Sequence, residues 1–124
     1  MLDENSTLIN SRFGGSVQSG PLRLLYGSRE TVLSPGDQDC VIGRDGDCGV
    51  VVETAYTSRH HCTLAWQNDK FVLKDHSTNG TWLQLGRAEP LRVHNETVPL
   101  AGAGSIKIGR AFNDDDSGLI LFKV

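Results

Sequence analysis

Three short polar segments hold most of the side chains in this chain that could do chemistry. They are Gly43-Arg44-Asp45-Gly46-Asp47, Thr57-Ser58-Arg59-His60-His61 and His76-Ser77-Thr78-Asn79-Gly80-Thr81. If the three converge, Arg44, Ser58, Arg59, Thr78 and Asn79 offer two guanidinium forks, hydroxyls and a carboxamide, a donor set suited to a phosphate dianion. Taken singly, each is an ordinary exposed arginine or a turn-forming residue, so the reading depends on the convergence.

Other chemistries fit these residues less well. A catalytic reading would take Ser58 as nucleophile, His60 or His61 as base and Asp75 as orienter. Ser58 sits in no G-x-S-x-G elbow, and no oxyanion hole accompanies it, so the sequence predicts a chain that is not an enzyme. A metal reading would recruit His60, His61, Cys62 and His76, but consecutive side chains on a strand point to opposite faces and do not share one ion. Asp45-Gly46-Asp47 resembles the start of a calcium loop, yet Tyr56 stands where the twelfth-position glutamate belongs. Asp114-Asp115-Asp116 reads as a solvated turn before the last strand. No metal and no cofactor are expected.

The bulk charge narrows the partners. A formal net charge of −3 supplies no broad cationic surface for nucleic acid or an anionic membrane, so any anion site must be local. No run approaches the roughly 18 apolar residues of a membrane span, and Asp3 and Glu4 break the pattern of a signal peptide. Cys40, Cys48 and Cys62 form an odd set without C-x-x-C spacing, which points to reduced thiols and a cytoplasmic protein.

The elements that must position the polar segments read as strands. At 124 residues the chain is one domain's worth, and its 14 glycines favour many turns over long helices. Short β-like runs cover Leu22 to Tyr26, Glu30 to Leu33, Cys40 to Ile42, Val50 to Glu53, His61 to Gln67, Phe71 to Lys74 and Thr81 to Leu85. Others lie around Val98, at Ser105 to Ile108 and at Leu119 to Val124. Asn68-Asp69 is a turn pair, with Leu64 and Trp66 on one face of the first strand and Phe71 and Leu73 on one face of its partner. This spacing predicts an all-β sandwich or barrel. Residues 1–20 are polar, with isolated apolar side chains, and read as a flexible leader.

Ile42-Gly43-Arg44, Ser58-Arg59-His60-His61 and Ser77-Thr78-Asn79-Gly80-Thr81 resemble the three signature blocks of forkhead-associated (FHA) domains: G-R, S-x-x-H and N-G. Trp82 and Leu83 follow as that family usually shows, and the similarity runs from about Leu22 to Val124. The resemblance implies an FHA domain over residues 21–124, an eleven-stranded β-sandwich whose apical loops bind phosphothreonine peptides. On that basis Arg44 reaches the phosphate or the adjacent peptide, Ser58 and Arg59 bind phosphate oxygens, Thr78 lies beside the phosphothreonine and Asn79 holds the peptide backbone. Gly43, His61 and Gly80 are architectural. Two departures stand out: Thr57 where an aliphatic residue is common, and Ala103-Gly104 where a late turn would read Gly-Asp. Tyr56 stands at the site entrance. The expected partner is a phosphothreonine-containing protein or peptide bound by a monomeric module of a larger signalling protein; the alternative is an FHA-like structural module that binds independently of phosphate.

Overall fold

The computed structural model describes residues 20–112 and 117–124. Apart from Gly20, the leader lies outside the described residues, as do Asp114-Asp115-Asp116. The described residues form eleven strands: β1 (Leu22–Tyr26), β2 (Arg29–Leu33), β3 (Cys40–Gly43), β4 (Val50–Val51), β5 (Cys62–Gln67), β6 (Lys70–Asp75), β7 (Thr81–Leu85), β8 (Leu91–Val93), β9 (Thr97–Pro99), β10 (Ala103–Ile108) and β11 (Leu119–Lys123). One sheet has the order β2-β1-β11-β10-β7-β8 and the other β4-β3-β5-β6-β9.

Alternation explains which face of each strand is buried. On β1, Leu22 and Leu24 point inward while Arg23 and Leu25 point out; on β11, Ile120 and Phe122 point in while Leu121 and Lys123 point out. From the other sheet Ile42, Leu64, Phe71 and Leu73 join the same core. Asn68 and Asp69 adopt φ of 54° and 64°, the left-handed pair required by a two-residue hairpin whose twist matches its strands. The hairpin register pairs Leu64 with Leu73 and Trp66 with Phe71, whose rings meet edge to face at 4.8 Å.

Two expectations from the sequence are corrected, and one strand is added. The fourth strand stops at Val51, before Glu53, because it pairs with β3 over only Ile42–Val50 and Gly43–Val51. Leu91–Val93 forms β8, whose exposed, exposed, buried pattern gives little alternation to read. Ala103-Gly104 lies in β10, paired with Lys123 and Phe122, and the turn is one residue earlier at Gly102.

Register also determines where the polar segments emerge. Ile42 at the end of β3 pairs with Cys62 at the start of β5, which pairs with Asp75 at the end of β6. In the other sheet Thr81 at the start of β7 pairs with Ile108 at the end of β10. The segments 44–49, 52–61 and 76–80, and the described residues 109–112 and 117–118, therefore leave the sandwich at one end. The chain crosses from one sheet to the other within 76–80.

Candidate functional site

Backbone contacts zip the first two polar segments together. Arg44 N donates to Ser58 O at 3.0 Å, Asp45 N to Arg59 O at 3.1 Å and His61 N to Ile42 O at 2.8 Å. This approach needs a residue without a side chain at position 43, where a Cβ would collide with the Arg59 carbonyl oxygen. His60 adds a side-chain clamp from the second segment to the first, with its Nε2 3.1 Å from Asp47 Oδ1 and 3.7 Å from Asp45 Oδ2.

The third segment docks on the second. Thr78 N donates to Ser58 Oγ at 3.1 Å, and Asn79 Nδ2 donates to Tyr56 O at 2.9 Å. Arg44 Nε donates to Thr57 O at 3.1 Å, so all three segments are tied to residues 56–58. Since Ser58 Oγ accepts the Thr78 bond, its own proton remains available to an incoming acceptor. The side chains of Arg44, Arg59, Thr78 and Asn79 are exposed, and Arg44, Asp45, Gly46 and Arg59 line an open hollow of about 320 Å³. The structure thus brings the five predicted ligand-facing residues to one end of the sandwich.

Below them lies a buried polar frame. His61 is fully buried; its Nδ1 accepts Ser58 N–H at 2.9 Å, and its Nε2 lies 2.7 Å from Gly80 O. An amide can only donate and a carbonyl only accept, so the ring is neutral with its proton on Nε2. Burial lowers its pKa below the ordinary histidine value, outweighing the opposing effects of the Gly80 carbonyl and Asp75. Asp75 supports the next turn: Oδ1 accepts the hydroxyls of Ser77 and Thr81, each at 2.7 Å, and Oδ2 accepts Asn95 N at 2.9 Å and Ser77 N at 3.2 Å. Burial raises its pKa, but these bonds, led by Asn95, outweigh it and hold the carboxyl below its usual value.

Sequence reasoning missed several of these supports. The sequence offers Asp75 only as a catalytic partner, although a carboxylate two residues before Ser77 is a turn signal. Thr57, the departure from an aliphatic residue, is buried, and its hydroxyl pairs with Thr54 Oγ1 at 2.7 Å. Tyr56 is held by Arg110, whose NH1 donates to the Tyr56 hydroxyl at 2.9 Å while its guanidinium lies 4.4 Å from the ring centroid. No sequence pattern links these two residues, because the contact joins different loops.

The rival chemistries find different surroundings. Among the described residues no hydrogen bond joins Ser58 Oγ to a histidine; His61 engages the Ser58 backbone and Asp75 holds the following turn. The four residues weighed as a metal set are dispersed: His60 lies on Asp47, His61 on Gly80 and His76 on Thr63 Oγ1, while Cys62 is fully buried with its thiol pKa pushed far up. Asp47, Cys48 and His60 bring ligand-type atoms within 4.8 Å of one another. Burial and Asp47 raise the Cys48 pKa, and the thiol donates to Arg59 O at 3.3 Å, so the trio belongs to the clamp between loops.

Comparisons with known proteins agree with this architecture. The model of the FHA domain family matches residues 40–109. Among solved structures, the first FHA domain of Mycobacterium tuberculosis Rv1747 is similar at 28% identity and a TM-score of 0.65, covering 84% of this chain and 95% of that one. The MEK1 FHA domain in complex with a HOP1 phosphothreonine peptide is similar at 23% identity and a TM-score of 0.64, covering 85% and 97%. The N-terminal FHA domain of Saccharomyces cerevisiae Rad53p, in complex with a phosphothreonine peptide, is similar at 20% identity and a TM-score of 0.60, covering 83% and 90%. A comparison with curated proteins found no match. The matched family model covers more than half of the chain, including all three polar segments that the sheet register gathers at one end, and the chain belongs to the FHA domain family.

Proposed function

We propose that this domain binds phosphothreonine-containing peptides and so recruits phosphorylated proteins, acting as a binding module and not as an enzyme. The observation that carries the reading is the tying of three polar segments to residues 56–58, which gathers Arg44, Ser58, Arg59, Thr78 and Asn79 around one open surface. Arg44 and Arg59 supply charge-assisted donors, and Ser58 donates its remaining proton to a phosphate oxygen. Asn79 holds the peptide backbone, and Thr78 lies beside the phosphothreonine methyl. Two similar FHA structures were solved with phosphothreonine peptides, which supports the same ligand class here. Three free cysteines fit a reducing, cytoplasmic setting.

The test is calorimetry on peptides selected from a degenerate phosphothreonine library, each compared with its unphosphorylated twin. A phosphate adds roughly −1.5 to −2 charge and three acceptor oxygens, so its removal should abolish measurable binding. Equal affinity for both forms would favour a phosphate-independent module.

A further inference from the structure

The turn that carries Asn79 contains an inherent weakness. Gly80 has φ of +90°, and a glycine there tolerates rotation of its flanking peptide planes at little steric cost. The aim of the Asn79 side chain depends on how firmly the 79–80 peptide is fixed as well as on its own bond from Nδ2 to Tyr56 O. The N–H end of that peptide is held from inside, because Gly80 N donates to the buried Ser77 Oγ at 2.7 Å. Its carbonyl end is held from outside by a residue on another strand: Arg92 NH2 donates to Asn79 O at 3.1 Å.

Arg92 is well placed for this. It lies on β8 opposite Trp82, with an exposed side chain, and its guanidinium runs against the Gly80 α-carbon, where a Cβ would come within 2.7 Å of Nε. The next peptide is fixed separately, because Gly80 O accepts from His61 Nε2 at 2.7 Å and from Gly109 N at 3.1 Å. Gly80 is thus clamped by His61 and Ser77 from the protein interior and by Arg92 from the solvent side. The Asn79 carboxamide, in turn, reaches Tyr56 O.

We infer that Arg92 is a positioning residue of the phosphopeptide site: its planar guanidinium locks the Asn79–Gly80 peptide from the solvent side and, together with the Asn79 bond to Tyr56 O, fixes the direction of the Asn79 side chain. The inference deepens the proposed function and rests on it for ligand binding, while the locking itself is measurable without ligand. A guanidinium suits the task better than an ammonium, since a flat fork can donate to the carbonyl while lying over a glycine. The absence of a side chain at position 80 is then a requirement of the lock as well as of the backbone angle.

The test combines NMR of the free 124-residue chain with peptide titration of Arg92→Ala and Arg92→Lys. In Arg92→Ala the amide signals of Asn79 and Gly80 should shift and show increased backbone motion, with the melting temperature nearly unchanged because the residue is exposed. Affinity for a library-selected phosphothreonine peptide should fall about three- to tenfold, the loss of one hydrogen bond's worth of preorganisation. Arg92→Lys should keep the charge yet leave Asn79 and Gly80 mobile and binding weakened. Unchanged Asn79 and Gly80 signals in Arg92→Ala would overturn the lock, and so would full recovery of affinity in Arg92→Lys, which would mark Arg92 as a simple attractor of phosphate. If the wild type binds no phosphothreonine peptide, the proposed function fails and Arg92's role at a phosphopeptide site fails with it; the free-chain NMR then separates an intact turn lock from a turn that never needed one.

Discussion

His61 Nε2 donates to the Gly80 carbonyl at 2.7 Å across the boundary between the two segments that bear Ser58 and Asn79. The same ring accepts the Ser58 amide at Nδ1, so one neutral imidazole holds both sides of the candidate phosphopeptide surface at a fixed separation. The arrangement explains why a fully buried polar residue is tolerated next to the core, since both ring nitrogens are satisfied.

His61→Ala should therefore act on the fold before it acts on the ligand. Truncation leaves the Ser58 amide without its acceptor and opens a cavity, at a cost of about 2–4 kcal/mol. The wild type should also show pH dependence of a defined sign. Because the folded pKa of His61 is lowered, folding favours the neutral ring; its contribution is complete above the unfolded value near 6.5 and fades as pH falls through the folded value. Melting temperatures measured between pH 7.5 and about pH 4.5 should decline through that range, and the slope should shrink in His61→Ala. The same decline in both proteins would place the titration in a group other than His61; Asp75, held below its usual value, gives up its contribution only at more acid pH.

Arg44→Ala and Arg59→Ala should weaken phosphothreonine peptide binding on the order of tenfold or more each, with little change in melting temperature. Both side chains are exposed, and a charge-assisted hydrogen bond to phosphate contributes about 1.5–3 kcal/mol to binding. Calorimetry paired with thermal melts reads both quantities. Unfolding of Arg44→Ala would show that its bond to Thr57 O matters more to the loops than to any ligand.

Ser58→Ala removes an acceptor and a donor at once. The Thr78 amide loses its partner, so the 76–80 turn should loosen along with a loss of affinity. Ser58→Thr keeps the hydroxyl and should retain part of the binding, whereas a residue used only to shape the backbone would show no such recovery.

Gly43→Ala should destabilise the domain by about 1–3 kcal/mol, since the new methyl meets the Arg59 carbonyl and must push the two loops apart. Peptide affinity should fall with stability, because Arg44 and Arg59 are carried by those same loops. A variant with native stability and affinity would show that the approach relaxes without consequence.

Phosphothreonine should be preferred over phosphoserine by a few-fold to tens-fold at the same peptide position. The two present the same phosphate, so discrimination comes from the γ-methyl group, whose burial contributes about 0.8 kcal/mol and which also narrows the free peptide's χ1 rotamers. Paired titrations of one peptide in both forms decide it, and identical affinities would mean that the Ser58 and Asn79 loops enclose no methyl pocket.

The sequence by itself determined the layered β architecture, because inward and outward alternation on strands such as Leu22–Tyr26 and Leu119–Lys123 and the left-handed pair Asn68-Asp69 are properties of neighbouring residues. It also supplied the side-chain chemistry of the three polar segments and the blocks by which the family is known. Strand β8 was hidden for the converse reason: three residues with two exposed carry almost no periodic signal. Only the tertiary structure decided how the polar segments meet. The bonds from Arg44 to Thr57, Thr78 to Ser58, Asn79 to Tyr56 and His61 to Gly80, and the grip of Arg92 on the Asn79–Gly80 turn, each join residues at least 13 positions apart. Such contacts depend on sheet register and on the crossing of the chain between sheets at 76–80, and neither is encoded in the spacing of adjacent residues. Residue types determined what the loops could bind, and strand pairing determined which of those residues stand together.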